Sequence, residues 1–181
     1  MQHELINILI RTGFRPQLFA RCLQSITDQN YPNLRVIVSI DRDCDYVPSW
    51  CDVIRVSPGN ESYTYDCYLN ALKEIVTDGY FFALDDDEVL AKDCLSKIIF
   101  DNPAIIHKID YMGKIIPTRQ GVFLGEIGMP SIMLHHSLKN LANFDGGNHG
   151  DYNFIKAIEA QVALYYSDLV LVRVDRKGNG V

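Results

Sequence analysis

The sequence predicts a single α/β domain built on a mostly parallel central sheet. Strand-like and helix-like segments alternate in the order βαβαβα through the first 100 residues, which is the pattern of a Rossmann-like half. The chain has 181 residues, of which 48% are hydrophobic and 22% charged, an ordinary composition for a globular domain with a real core. We therefore expect one domain over residues 1–181, with a regular half at 1–100 and a small irregular half at 101–181.

The first three elements are predicted to form a βαβ unit. Residues 5–10 are apolar except for Asn7, as expected of a strand that is buried on both faces of a parallel sheet. Pro16 suits the first position of a helix, and residues 16–28 then follow helical spacing. Residues 34–40 are rich in Val and Ile and predict a second strand. Such a unit pairs its strands in parallel through a right-handed crossover.

The rest of the regular half continues the alternation. Residues 53–56 predict a short strand, and residues 65–76 predict a helix with one apolar side. Residues 80–84 are apolar and aromatic and predict a buried strand. Residues 91–100 predict a further helix.

The second half predicts shorter elements. Asp151 is expected to be the N-cap of a helix that runs to about Val162. The Gly-punctuated segment 120–128 predicts a partly mobile loop that orders when substrate binds. The other expected elements are strands at 105–109, 114–116, 131–134 and 169–174, a helical turn at 137–142 and a loop at 145–150.

Four consecutive acids follow the buried strand 80–84, namely Asp85, Asp86, Asp87 and Glu88. Packed carboxylates repel one another and raise each other's pKa. A divalent cation bound between them removes this electrostatic repulsion. Mg²⁺ and Mn²⁺ prefer oxygen ligands and are commonly held by one or two carboxylates and the phosphates of a substrate. The acids therefore predict a metal-bound phosphate ester at the end of this strand. A solvated acidic turn or an acidic helix N-terminus is the alternative interpretation.

Polar residues also follow the first two predicted strands. The first strand is followed by residues 11–15, with the sequence Arg-Thr-Gly-Phe-Arg, and the second by Asp41. In open α/β sheets, ligands bind beyond the carboxyl ends of the strands, so these groups and the four acids are expected to meet at one edge. The sequence contains neither a Gly-x-Gly-x-x-Gly motif nor a Walker loop, the signatures of dinucleotide and P-loop sites.

Charge and cysteine content restrict the partners and the compartment. The net charge of −6 disfavours a nucleic-acid partner, which would require a basic face. Five cysteines without a Cys-x-x-Cys pair indicate reduced thiols, and hence a cytoplasmic location. We expect no transmembrane segment and no signal peptide, because the apolar runs are short and the first residues lack a basic-then-apolar order.

Several motifs occur in an order typical of one enzyme family. Residues 8–16, 23–33 and 36–41 are followed by Asn70-Ala71-Leu72, by Leu84-Asp85-Asp86-Asp87 and by residues 150–155. Together these segments resemble the family 2 glycosyltransferases, which have the GT-A fold. The last three resemble that family's Asn motif, its Asp-x-Asp metal motif and the acidic motif that contains its catalytic base. The resemblance covers residues 5–100 well and residues 130–160 loosely.

The resemblance implies a glycosyltransferase that depends on Mn²⁺ or Mg²⁺. Its donor would be a nucleotide-diphosphate sugar, with a UDP-sugar favoured, and its acceptor a glycan or another hydroxyl compound. Asp151 would deprotonate the acceptor hydroxyl for a single displacement with inversion. Asp151 acting only as a helix cap is the structural alternative.

The resemblance also implies roles for individual residues. Asp41 would accept a hydrogen bond from the base, most naturally the imide of a uracil, and Asp87 would bind the metal directly. Asp85 would contact the ribose or the hydration shell of the metal. His149, two residues before Asp151, is the histidine best placed to touch the metal or the phosphates, and a solvated loop histidine is the alternative. The candidate nucleotide-binding residues are Thr12, Arg15, Asp41, Asn70, Asp85 and Asp86, and the candidate metal ligands are Asp85, Asp87 and His149.

Two departures from the family pattern keep other functions open. Tyr68 and Leu69 precede Asn70 where the family usually has an Arg, and Asp151 is a single acid where the family has a pair. One alternative is a nucleotidyltransferase acting on sugar phosphates, although residues 11–15 contain little Gly for a triphosphate loop. The other is a catalytically inactive GT-A-like binding module, which loss of the acids would favour and which their presence disfavours.

Overall fold

One mixed sheet with helices on both faces forms the core of the computed structural model, which describes residues 3–57, 65–144 and 149–175. The predicted α/β class is confirmed. The described strands are β1 (Ile6–Arg11), β2 (Leu34–Ile40), β3 (Asp52–Arg55), β4 (Tyr80–Asp85), β5 (Val89–Leu90), β6 (Ala104–Tyr111), β7 (Lys114–Ile116), β8 (Ile132–His135) and β9 (Tyr165–Val174). The α-helices are α1 (Pro16–Thr27), α2 (Tyr65–Glu74) and α3 (Gly150–Glu159).

The first half supplies the parallel centre of the sheet. β1 pairs in parallel with β2 on one side and with β4 on the other, and β2 pairs in parallel with β3. The register places Arg11 opposite Asp85 on one side and opposite Ser39 on the other. The carboxyl ends of these strands therefore end at one edge, as the sequence predicts.

The second half extends the sheet with mixed pairing. The strand order is β3-β2-β1-β4-β8-β6-β9-β5, and β7 pairs with β6. β8 is antiparallel to both β4 and β6, whereas β9 runs parallel to β6. β5 directly follows the turn after β4 and pairs antiparallel with β9, which comes from the end of the described chain. This pairing fixes the turn after β4 against the second half.

Two apolar clusters pack on the two faces of the sheet. On one face, α1 contributes Phe19, Cys22 and Leu23, which pack with β1, β2 and β4. On the other face, α2 contributes Leu72 and α3 contributes Phe154. Each cluster includes residues from both halves of the chain. None of the described helices has the length and apolar content that a bilayer crossing requires, and all five cysteines are free thiols.

The predicted helix over 91–100 is wrong. The structure has a single 3₁₀ turn there, Leu95–Lys97. Asp93 has a φ of +51°, which no right-handed helix accommodates, and Ile98 is extended. The amide of Ala91 donates to the Leu171 carbonyl at 2.9 Å, which continues the pairing of β5 with β9. Pairing with a strand distant in sequence thus overrides the local helical pattern.

Other boundaries also differ from the predictions. Helix α3 begins at Gly150 with His149 at the cap position, so the N-cap predicted at Asp151 is wrong. The predicted turn at 137–142 is a short 3₁₀ turn, His136–Leu138. β9 begins at Tyr165 rather than at residue 169. The loop predicted at 145–150 falls largely outside the described residues. The segment 120–128 contains no helix or strand, and its predicted mobility stays a prediction.

His107 makes the fold sensitive to acid. Its side chain is buried on β6, and neither ring nitrogen has a hydrogen-bond partner among the described residues. Burial lowers the pKa of His107 to about 4. Between pH 6.5 and 4 the unfolded chain binds a proton at this residue and the folded chain does not, so the free energy of unfolding falls as the pH falls. The free energy of unfolding decreases by about 3 kcal/mol between pH 6.5 and pH 4.

The variant His107→Leu should remove this part of the pH dependence. We expect its free energy of unfolding to match that of the wild type near pH 7 and to exceed it by up to about 3 kcal/mol near pH 4. Urea titrations at several pH values measure the difference. His135→Gln, at a more accessible position on β8, is the control and should keep most of the dependence. The prediction would be contradicted if the wild type and His107→Leu lost the same amount of stability as the pH falls.

Candidate active site

Asp86 is the most enclosed carboxylate at the carboxyl edge of the sheet. Its side chain is fully buried. Oδ2 accepts from Thr12 Oγ1 at 2.9 Å and from the Gly13 amide at 3.2 Å, and Arg15 pairs with Oδ1. Burial raises the pKa of Asp86, while Thr12 and Arg15 act in the opposite direction. This carboxylate thus links the end of β4 to the loop after β1.

Arg15 joins the same loop to a second acid. Its Nη1 donates to Asp87 Oδ2 at 2.8 Å, so one guanidinium bridges Asp86 and Asp87. Arg15 also precedes Pro16 and occupies the cap position of α1, which fixes its backbone. The Tyr46 hydroxyl contacts Thr12 Oγ1 and accepts from the Phe14 amide, each at 3.2 Å.

Asp85 lies at the accessible side of the acidic turn. Arg11 Nη2 pairs with Asp85 Oδ1 at 3.2 Å. The Asp85 side chain is 44% exposed, in contrast to that of Asp86. Glu88 closes the turn, because its Oε2 accepts from the Asp85 amide at 3.0 Å and its own amide donates to the Asp85 carbonyl at 3.0 Å. Burial and the neighbouring Asp85 raise the pKa of Glu88 well above its usual range.

A cavity of about 810 Å³ opens beside Asp85, between the two halves of the chain. Its lining includes residues of β6, β7 and the segment 124–130, together with polar residues from the ends of β1 and β4 and from α2 and α3. The polar lining residues are Arg11, Asp66, Asp85, Glu88, His149 and Asp151. The apolar lining residues include Ile109, Ile116, Leu124, Ile127, Met129 and Val174.

Asp151 enters this cavity from the first turn of α3. Its Oδ2 accepts from the Met129 amide at 3.1 Å, which fixes the carboxylate without capping its own helix. Burial raises the pKa of Asp151; the Met129 bond lowers it, and the nearby Asp85 raises it further. Helix α3 approaches α2 closely here, since a Cβ on Gly150 would stand 3.3 Å from Asp66 Oδ1. The result is a half-buried carboxylate with a raised pKa, as a general base requires.

Helix α2 holds the segment that leads toward α3. Asn70 Nδ2 donates to the Phe144 carbonyl at 2.9 Å, and its Oδ1 accepts from the Phe144 amide at 3.0 Å. The Phe144 ring stacks on Phe154 of α3 at a centroid distance of 4.0 Å. In this structure the Asn70 amide therefore binds protein backbone, and its predicted contact with a nucleotide stays a prediction.

Lys73 adds a second link that the sequence pattern does not reveal. Its side chain is fully buried, and Nζ donates to the carbonyls of Lys139 and Ala142 at 2.9 and 2.8 Å and to Asn143 Oδ1 at 2.6 Å. Three oxygen acceptors satisfy the ammonium group in the interior, which offsets the cost of burying a charge. The segment 139–144 is consequently fixed to α2 at several points.

Asp41 lies apart from the cavity. Arg42 donates to both of its carboxylate oxygens, at 3.0 and 3.3 Å, and this pairing lowers the pKa of Asp41. The hydroxyl of Tyr68 on α2 also lowers the pKa of Asp41.

The candidate residues therefore form two groups at the edge of the sheet, with two members outside them. Asp85, His149 and Asp151 line one cavity. Thr12, Arg15, Asp86 and Asp87 form the adjoining ion-pair cluster. Asp41 and Asn70 belong to neither group. A contact between Asp86 and a nucleotide would require Asp86 to break its bonds to Thr12, Gly13 and Arg15.

The acids suit a cation that is shared with a phosphate rather than one held by protein alone. Among residues 3–57, 65–144 and 149–175, no three His, Cys, Asp or Glu side chains are arranged to hold a metal. The ion pairs described above use Oδ2 of Asp87 and Oδ1 of Asp85. The second oxygen of each carboxylate is therefore left to coordinate a cation. One or two carboxylates with substrate phosphates are the usual surroundings of protein-bound Mg²⁺. The donor set therefore fits such an ion.

No known family model and no curated protein matches this sequence. Solved structures do match. TarS 1–349 of S. aureus in complex with UDP-GlcNAc has a TM-score of 0.72 and 15% identity, over 97% of this chain and 60% of that one. The mannosyltransferase PcManGT of Pyrobaculum calidifontis, in complex with GDP-Man and Mn²⁺, has a TM-score of 0.70 and 17% identity, over 99% and 59%. The chain spans about three fifths of these structures, and it has their GT-A-like glycosyltransferase fold, as the sequence predicts.

Removal of the Asn70 amide should destabilise the protein. In Asn70→Ala, the backbone N–H and the backbone carbonyl of Phe144 both lose their hydrogen-bond partner. This loss should reduce the free energy of unfolding by about 1–3 kcal/mol. Urea titration measures the loss. Gln24→Ala removes an exposed amide from α1 and should change stability by no more than about 0.5 kcal/mol. Equal stability of the two variants would contradict the anchoring role.

Proposed function

We propose that this protein is a metal-dependent glycosyltransferase that transfers a sugar from a nucleotide-diphosphate donor, with a UDP-sugar favoured, to an acceptor hydroxyl. The observation that carries the proposal is the cavity that is lined both by Asp85, from the acidic turn, and by Asp151, a half-buried carboxylate with a raised pKa. The fold shared with TarS and with the mannosyltransferase supports it, since those proteins were solved with UDP-GlcNAc and with GDP-Man. We also propose a cytoplasmic location, which five free thiols support.

In this proposal the donor lies across the carboxyl edge of β1, β2 and β4. Asp41 accepts from the base, and Thr12 and Arg15 lie against the nucleotide. Asp87 and Asp85 hold the cation, and His149, which lines the same cavity as Asp85, is the third candidate ligand. When bound, the cation would neutralise charge on the diphosphate leaving group. Arg11 and Arg15 add two fixed positive charges at this edge, which suits an anionic donor.

Asp151 is the general base in this proposal. The acceptor oxygen forms a bond to the anomeric carbon while its proton passes to the Asp151 carboxylate. The bond from the anomeric carbon to the diphosphate oxygen breaks, and its electron pair leaves with the nucleoside diphosphate. Attack opposite the leaving group inverts the anomeric centre. The Met129 amide holds Oδ2, which leaves Oδ1 of Asp151 to receive the proton.

The apolar side of the cavity is the proposed acceptor side. Ile116, Leu124 and Ile127 form an apolar wall of the cavity that Asp85 and Asp151 also line. Leu124 is exposed in this structure, so a bound molecule would cover it. A hydroxyl compound that rests on this wall would present its hydroxyl to Asp151.

A binding module without catalysis is the second candidate. One observation favours it: each of Asp85, Asp86 and Asp87 already forms an ion pair in this structure, the first with Arg11 and the other two with Arg15. A protein that needs no cation would be stable in this form. Donor titration distinguishes the two candidates, because only the enzyme should require a metal.

Calorimetric titration of UDP, GDP and dTDP, with and without Mn²⁺, tests the donor site. We expect one nucleotide, UDP, to bind at one site with Mn²⁺ and at least tenfold more weakly without it. Asp87→Asn should abolish the effect of Mn²⁺, because the amide is a poorer cation ligand. Asp168→Asn removes an exposed acid from β9 and should bind as the wild type does. Equal affinity with and without Mn²⁺ would support the binding module.

Asp151→Asn should separate binding from catalysis. Its side-chain oxygen can still accept from the Met129 amide, so nucleotide affinity should stay within about twofold of the wild type. Turnover of the UDP-sugar with an acceptor should fall by about 10²–10⁴, the usual contribution of a general base. Glu159→Gln, which removes an acid outside the cavity from the same helix, should retain full turnover. Full turnover by Asp151→Asn would exclude Asp151 as the base.

A further inference from the structure

We propose that Arg15 is an internal counter-ion of Asp86 and Asp87 that makes the binding of a divalent cation and of a nucleoside diphosphate depend on each other. This inference rests on the proposed function and deepens it. It assigns Arg15 a positioning role beyond a simple contact with the nucleotide. Arg15 would pair with Asp87 in the free protein and with a phosphate in the complex.

The geometry of the free protein supplies the first step. One guanidinium pairs with two consecutive acids, through Nη2 to Asp86 and through Nη1 to Asp87 at 2.8 Å. Asp87, the predicted metal ligand, is therefore already ion-paired, and it shares the one charge of Arg15 with Asp86. The Asp87 side chain is only 12% exposed, so solvent screens this pair poorly.

The unequal bonding of the two acids supplies the second step. Asp86 is fully buried and is also bonded to Thr12 and to the Gly13 amide, so its bond to Arg15 is difficult to replace. Asp87 has no comparable set of partners among the described residues. The guanidinium therefore stays in the cluster through Asp86 while its other nitrogen can exchange Asp87 for a new acceptor.

Electrostatics supplies the third step. A divalent cation on Asp87 alone would lie within a few ångströms of the Arg15 charge, and two positive charges so close repel strongly. A diphosphate removes the conflict, because it neutralises the cation and offers Arg15 an acceptor of the geometry that guanidinium groups prefer. Each ligand thus improves the site for the other.

Arg21 keeps the backbone in place during this exchange. Its Nη2 donates to the Asp87 carbonyl at 2.8 Å, and its Nη1 pairs with Asp175 at 3.2 Å. The Asp87 carboxylate can change its partner while the peptide group stays fixed. The exchange therefore requires movement of side chains alone.

Titration of Mn²⁺ into the full chain, with and without saturating UDP, tests the inference without measuring turnover. In the wild type, we expect Mn²⁺ affinity to rise at least tenfold with UDP, and UDP affinity to rise by the same factor with Mn²⁺. In Arg15→Gln, Mn²⁺ alone should bind at least threefold more tightly than in the wild type, and the gain from UDP should fall below threefold. Arg35→Gln removes an exposed arginine paired with Asp52 and should match the wild type.

Arg15→Lys is the second variant, in case Arg15→Gln does not fold. An ammonium group is a point charge that lacks the planar fork of Arg, so the gain from UDP should be intermediate. Wild-type coupling in Arg15→Lys or in a folded Arg15→Gln would overturn the inference while leaving the proposed function intact. A wild type that binds neither Mn²⁺ nor UDP would overturn both.

Discussion

A buried carboxylate, that of Asp86, determines how the ends of β1 and β4 meet. A buried charge is costly unless it is paired and hydrogen-bonded. Thr12, the Gly13 amide and Arg15 together satisfy Asp86, and all three belong to the loop after β1. The loop cannot move away from the acidic turn without exposing an unpaired charge in the interior. The groups proposed to bind the donor thereby acquire a fixed position.

The position of Asp151, the proposed base, depends on a second set of polar contacts on the other face of the sheet. Asn70 and Lys73 bind the segment 139–144, and the stacked rings of Phe144 and Phe154 join that segment to α3. Helix α3 in turn presents Asp151 to the cavity. The groups proposed to bind the donor and the proposed base thus have different supports, both of which rest on the same parallel strands.

The sequence predicts the parts of this arrangement that local patterns determine. Apolar runs predict β1, β2 and β4, and helical spacing predicts α1 and α2, because each pattern is complete within a few residues. The helix predicted at 91–100 is wrong because the pairing of β5 with β9 joins segments about 80 residues apart.

Local patterns also cannot tell Asp85, Asp86 and Asp87 apart. Which of these three identical acids is buried depends on how the turn after β4 meets the loop after β1. The roles of Arg11, Lys73 and Glu88 went unpredicted for the same reason, since their partners lie elsewhere in space. The position of Arg11, directly at the end of a strand, and that of Glu88, in the run of four acids, offered a signal, whereas that of Lys73 offered none.

The central claim is that the acidic turn binds a cation together with a nucleoside diphosphate. A crystal structure of the chain grown with UDP and Mn²⁺ tests it most directly, because anomalous scattering locates the manganese unambiguously. The account predicts a manganese peak within coordination distance of the Asp87 carboxylate, the diphosphate against Arg15 and the uracil beside Asp41. A structure grown at saturating ligand in which Arg15 still pairs with Asp87 and no manganese lies at the acidic turn would contradict it.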